Sequence, residues 1–136
     1  MKERAREGNK MSPEIVARAV KSYFEAIRAM DQEAWVNTFA ADGTSYDPVG
    51  APGTTGQQKL GEFFQSIAGA FKEVNLMEDE VFISGNGAAV KWIGTGISKQ
   101  GRRVHFEGIN VFRVHEDGKI QSVHNYWNPA EMVAQL

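Results

Sequence analysis

VFISGNGAAVKWIGTGISKQGRRVHFEGINVFRVHEDGKIQSVHNYW, residues 81–127, decides the fold of this chain. Gly85-Asn86-Gly87, Lys99-Gln100-Gly101 and Glu116-Asp117-Gly118 divide it into four β-rich runs, Val81 to Ser84, Ala88 to Ser98, Arg103 to Val114 and Ile120 to Trp127. Short turns rich in glycine between such runs mark hairpins, so neighbouring strands are expected to pair antiparallel. Strands of about ten residues twist and curl, and a curled sheet covered on one side leaves a conical hollow.

Upstream the periodicity is helical. Ser12-Pro13-Glu14 combines an N-cap, a proline at the first helical position and an acid in the first turn. Ile15, Ala19, Tyr23 and Ile27 then recur every four residues beside Val16, Val20 and Phe24, which puts Tyr23 on the buried stripe. Asp31 can cap a shorter second helix carrying Trp35, Val36 and Phe39, and Thr44 to Asp47 reads as a short strand. Leu60, Phe63, Phe64, Ile67 and Phe71 have the spacing of a third helix. Three helices ahead of a meander of long strands predict an α+β domain with the helices on one face of a curved sheet. Residues 1–11 mix Lys2, Arg4, Arg6 and Lys10 with Glu3 and Glu7 and bury no face, so a flexible arm is expected there and a single domain over 12–136.

Composition narrows the chemistry. With 136 residues, 42% of them hydrophobic, the chain can build one core. Fifteen basic and 17 acidic residues leave a net charge of -2, no field to gather nucleic acid or an anionic membrane. Small neutral partners fit better. The absence of cysteine excludes disulfides, thiolate zinc sites and thiol nucleophiles together. No run approaches the roughly 20 apolar residues of a membrane span, and the opening lacks the apolar core of a signal peptide, which reads as a cytoplasmic protein. His105, His115 and His124 have no metal-ligand spacing, and no metal is expected.

Tyr46-Asp47-Pro48-Val49-Gly50 carries the candidate chemistry. Proline forces Asp47 out of the α region, so its carboxylate is held away from local helix caps. It reads as a base, or as a turn-forming acid ahead of Pro and Gly. In the third long strand Val104, Phe106, Gly108, Asn110, Phe112 and Val114 share one parity, and Asn110 is a lone amide in an apolar row. That amide serves a ligand or satisfies a neighbouring backbone group. Trp127 and Asn125 share a parity in the last strand, and Trp92 has Val90 and Gly94 as same-face neighbours; such aromatics line a hollow or fill a core. Removing a proton beside a carbonyl needs a base over the carbon and donors at the oxygen, roles open to Asp47, Tyr23 and Asn110.

Tyr23-Phe24-Glu25, Phe39-Ala40-Ala41-Asp42, the 46–50 segment, Gly56, Asn110-Val111-Phe112-Arg113, Asp117-Gly118-Lys119-Ile120 and Tyr126-Trp127 together resemble the nuclear transport factor 2-like superfamily. Within it they are most similar to the ketosteroid isomerase and SnoaL-like polyketide cyclase branch, over about Ile15 to Trp127. The resemblance implies a cone-shaped, strongly curved antiparallel sheet wrapped around three N-terminal helices, the cystatin-like roll. It places the proton-shuttling aspartate on Asp47, the oxyanion-hole tyrosine on Tyr23 and a second donor, a protonated aspartate in the isomerases, on Asn110. Trp127 matches an active-site tryptophan, while Phe39 and Phe64 stand where some isomerases have tyrosines. Trp127, Asn125, Phe39, Phe64, Trp92 and Phe112 are the implied substrate contacts. The implied activity is proton transfer, isomerisation or cyclisation, on a small hydrophobic carbonyl ligand without a cofactor. A homodimer is expected through the outer sheet face, where Ile109, Val111 and Tyr126 have exposed parity. The rival from another class is a non-catalytic module of the same fold that binds a ligand or only dimerises. A third reading aims Asp47 at water, as in epoxide-hydrolysing relatives, and requires an Asp-Arg-Asp arrangement.

Overall fold

Helix α1 (Pro13–Arg28) starts at its cap: Ser12 is extended, and its Oγ accepts from the Ile15 N–H at 3.2 Å. Val16, Val20, Tyr23 and Phe24 form its buried stripe. At the far end Arg28 donates from Nη1 to the Leu76 carbonyl at 2.7 Å and to Glu78 at 2.6 Å, fastening the helix to the sheet. The computed structural model describes residues 12–136. The arm expected over residues 1–11 lies outside them.

Helix α2 (Gln32–Asn37) is capped by Asp31, whose Oδ1 accepts from the Ala34 N–H at 3.0 Å. It ends before Phe39, which the helical pattern had included. Phe39 instead opens strand β1 (Phe39–Tyr46), longer than the expected 44–47 segment. After the short β2 (Thr54–Thr55), helix α3 (Gln57–Ala70) likewise stops before Phe71, the first residue of β3 (Phe71–Ser84). In both cases the last aromatic of an apolar series points inward from the following strand, Phe39 into the core and Phe71 into the cavity, so helical spacing continued past the true boundary. The meander runs on through β4 (Gly87–Ser98), β5 (Arg103–Val114) and β6 (Ile120–Tyr126). A short α4 (Pro129–Val133) follows, capped by Asn128.

The six strands form one curved, unclosed sheet in the order β2-β1-β6-β5-β4-β3. Every neighbouring pair is antiparallel except β1 against β6, which is parallel in the register Ser45 to Val123 and Tyr46 to His124. The antiparallel pairing expected of the meander holds from β3 to β6, and the one parallel pair joins it to β1. No hairpin joins β1 to β6: the whole of α3 and the meander intervenes, a connection long enough for parallel pairing. On β5 the row Val104, Asn110, Phe112 and Val114 is buried, whereas Ile109 and Val111 are exposed, so the face carrying Asn110 is the inner one. Phe24, Phe39, Leu60, Phe112 and Ile120 close the deepest part of the core between helices and sheet.

Candidate active site

Beyond that core the concave face leaves a cavity of about 360 Å³ beneath α1 and α3. Its wall is mostly hydrocarbon, with Phe63, Phe64 and Ile67 from α3 and Phe71, Val74 and Leu76 from β3. The polar groups in the wall belong to Tyr23, Asp47, Asn125 and the indoles of Trp35, Trp92 and Trp127.

Asp47 follows the last residue of β1, and its peptide bond to Pro48 is cis. The residue is half-buried, and the Trp127 Nε1–H donates to its Oδ1 at 2.6 Å. Burial pushes the carboxyl above its ordinary value, and the Trp127 hydrogen bond, which favours the charged form, offsets part of that rise. Asp47 is therefore a stronger base than a solvated aspartate, held by an indole that can donate but never accept.

Tyr23 reaches the same cavity from α1 and is 2% exposed. Burial and the neighbouring Asp47 charge raise its phenol well above the ordinary value; the side chains of Trp35 and Asn110 pull the other way. The phenol lies 3.4 Å from Asn125 Oδ1. Chemistry sets the polarity of that contact. Asn125 presents its other amide atom to the Tyr46 carbonyl at 2.9 Å and to Ser45 Oγ at 3.2 Å. A carbonyl only accepts, so that atom is the NH₂, and the oxygen is left to take the phenolic proton.

Asn110 sits opposite Asn125 in the β5–β6 ladder. The Trp92 Nε1–H donates to its Oδ1 at 2.9 Å, and since an indole N–H only donates, the amide oxygen is fixed and the NH₂ is turned away from Trp92. Asn110 is buried but is not part of the cavity wall; it stands behind the phenol. Phe39 and Phe112 are likewise absent from the wall, and both rings pack edge-on against Tyr23, with centroids 6.1 and 5.0 Å away. The cavity thus brings together Asp47, Tyr23, Asn125, Trp127, Trp92 and Phe64, while Asn110, Phe39 and Phe112 form the layer beneath.

Sequence reasoning passed over Trp35, Ile27, Met30, Phe106 and the α4 residues Pro129 and Met132, all of which line the cavity. Phe106 lay in the inner row already picked out on β5, and Ile27 lay on the Tyr23 stripe. Gly108, in register with Trp92, leaves room for the aromatic wall: a Cβ there would lie 2.6 Å from Trp92 Cζ2 and 2.8 Å from Trp127 Cβ. Among the described residues no group of three or more His, Asp or Glu side chains is placed to hold a metal. No helix among them is long and apolar enough to cross a membrane.

Comparison with known proteins places the chain in a family and matches its fold. The model of the SnoaL-like domain matches residues 20–123. A steroid Δ-isomerase of Nocardioides simplex is 32% identical over 123 residues, covering 90% of this chain and 97% of the isomerase. Among solved structures, SalBIII, an epoxide hydrolase/cyclase-like enzyme of pyran ring formation in the polyether salinomycin, superposes with a TM-score of 0.77 at 25% identity over 87% of this chain and 94% of its own. A Mycobacterium tuberculosis protein in complex with estradiol-17β-hemisuccinate gives a TM-score of 0.77 at 24% identity, covering 86% and 96%.

Proposed function

The chain belongs to the SnoaL-like domain family, and from that premise we propose that it catalyses cofactor-independent proton transfer, an isomerisation or cyclisation, on a neutral hydrophobic carbonyl compound of about steroid size. The observation that carries this reading is a half-buried carboxyl of raised proton affinity and a buried phenol opening into one apolar cavity. In a β,γ-unsaturated ketone, Asp47 takes the proton from the carbon beside the carbonyl. The C–H electron pair moves into the adjacent bond and the carbonyl oxygen becomes an enolate. Tyr23 donates to that oxygen in place of its long contact with Asn125, and protonated Asp47 returns the proton to the γ-carbon, giving the conjugated ketone. Asn110 serves through the phenol, its NH₂ supporting the Tyr23 oxygen as the proton shifts toward the enolate.

The size and lining of the cavity support the substrate class. About 360 Å³ falls in the range of roughly 300–1,000 Å³ usual for small-molecule sites, and among the described residues the wall carries no cation to bind an anionic group. The open cavity weighs against the reading in which the cone is filled by its own side chains. Among the described residues Asp47 is its sole acid and no arginine lines it, which disfavours water activation through an Asp-Arg-Asp set.

The test is the rise of conjugated-enone absorbance from a Δ5-3-ketosteroid. Turnover that falls by about 10²–10³-fold in Tyr23→Phe and is lost in Asp47→Asn, with both variants folded, supports the assignment. Undiminished turnover in Asp47→Asn overturns it. We further propose a homodimer through the outer sheet face, where Ile93, Ile109, Val111 and Tyr126 are 42%, 44%, 38% and 51% exposed.

A further inference from the structure

Trp35 is a large, nearly fully buried residue of α2, 2% exposed, and its Nε1–H makes no hydrogen bond. A buried N–H left unpaired costs on the order of 1–3 kcal/mol, so such a group in a folded chain calls for a reason. Its surroundings narrow the reason. The indole packs against four rings: Phe39 at 5.0 Å, Phe64 at 5.4 Å, Tyr23 at 5.9 Å and Phe63 at 6.4 Å between centroids. Three of those are pure hydrocarbon. Only Tyr23 carries an acceptor, its phenolic oxygen.

That oxygen can still accept. Because the polarity of Asn125 is fixed by Tyr46 and Ser45, the phenol spends its proton on Asn125, and its lone pairs are left to the donors beside it, the Asn110 amide and the Trp35 indole. A neutral phenol oxygen is a weak acceptor, and the indole falls short of a formed bond to it while still acting on its proton affinity.

Resting on the reading of Tyr23 as oxyanion donor, we infer that Trp35 is a positioning residue whose indole N–H is reserved for the charged phenol oxygen. As Tyr23 yields its proton toward an enolate, negative charge grows on its own oxygen and the N–H gains a strong acceptor. The interaction is made in the charged state and is slack in the resting one, so it favours the transition state over the ground state. An indole suits this place because it has no lone pair to offer. A hydroxyl there could accept the phenolic hydrogen and turn it away from the cavity; an indole cannot. The same logic holds at Trp92, whose donor-only N–H leaves the Asn110 NH₂ on the phenol side.

The test uses the full chain carrying Asp47→Asn, which removes the carboxylate that repels an anionic probe. The probes are 2-naphthol at a pH where it is ionised, read by its absorbance, and naphthalene, the same skeleton without the oxygen. Trp35→Phe keeps an aromatic ring and deletes the donor. Naphtholate affinity is expected to fall about tenfold more than naphthalene affinity, which reads the loss of apolar wall alone, and that extra loss to vanish when Tyr23→Phe is already present. Equal weakening for both probes, no weakening, or a loss that persists beside Tyr23→Phe overturns the role of Trp35. Should Trp35→Phe fold poorly, 3-benzothienylalanine at position 35 replaces N–H by sulfur in the same bicycle and carries the same expectations. If Tyr23→Phe alone leaves naphtholate binding intact, it is the donor role of Tyr23 that has failed, and the single variant shows this without reference to Trp35.

Discussion

A methyl group at position 108 should damage both the fold and the cavity. The Cβ of Gly108→Ala would lie 2.6 Å from Trp92 Cζ2, 2.6 Å from the Tyr126 carbonyl oxygen and 2.8 Å from Trp127 Cβ. Carbon atoms in good contact are about 3.5–4.0 Å apart, so the overlap with the indole is roughly 0.9 Å at the least. A flexible side chain could swing away from such a contact. Here one obstacle is backbone and another is the root of a tryptophan, so relief has to displace the end of β6. That displacement also carries Trp127 away from Asp47. Overpacking of this kind costs about 2–3 kcal/mol, which for a chain of this length lowers Tm by roughly 6–12 °C. Thermal unfolding followed by circular dichroism measures the first effect, and quenching of tryptophan fluorescence by a bound naphthol measures the second. Gly69→Ala in α3 is the matched control: nothing lies within 4 Å of its Cβ, and replacing a helical glycine by alanine should stabilise by up to about 1 kcal/mol. A Gly108→Ala protein as stable as the parent, with naphthol affinity intact, refutes the close packing of the two indoles across this strand.

Asp47→Asn, in which turnover should be lost, is also expected to make the protein more heat-stable at neutral pH. The carboxyl is raised above its unfolded value of 3.8, so its contribution to stability is whole below that value and is lost as pH climbs through the folded one. Removing the charge removes that loss, and a variant less stable than the parent at pH 7 contradicts the sign. For the same reason the acidic limb of kcat/KM should lie above pH 3.8. Trp127→Phe, which deletes the bond favouring the carboxylate, should move that limb to still higher pH in a rate-pH profile. Ile109→Glu should halve the mass measured by light scattering without abolishing turnover, since this side chain faces away from the cavity.

Periodicity revealed what repeats and missed what does not. The four-residue recurrence on α1 put Tyr23 inside, and the alternate residues of β5 put Asn110 there, because each position is flanked by apolar neighbours of the same phase. Residues 71–80 of β3 escaped because Glu73, Glu78, Asp79 and Glu80 break the alternation; an edge strand exposed along much of its length tolerates them. Helix α4 was readable: Asn128-Pro129 with Glu131 repeats the cap, proline and acid that announced α1 at Ser12. Phe112 shows the limit of parity, which tells which way a side chain faces and not how deep it lies. Trp35 shows another. Its apolar spacing on α2 is indistinguishable from that of a core residue, and an unpaired N–H emerges only when the acceptors around it are counted in space.

The parallel join of β1 to β6 also governs the order of assembly. Asp47 and the tryptophan that holds it are 80 residues apart, and Asn125 is tied to Tyr46 across 79. On a ribosome Asp47 is made early and waits, unfastened, through α3 and the entire meander until the last strand emerges. Closure over so long a loop is slow compared with hairpin formation, so the completed cavity is expected to arrive as the final event of folding, well after the helices and the β4–β5 hairpin have their native form.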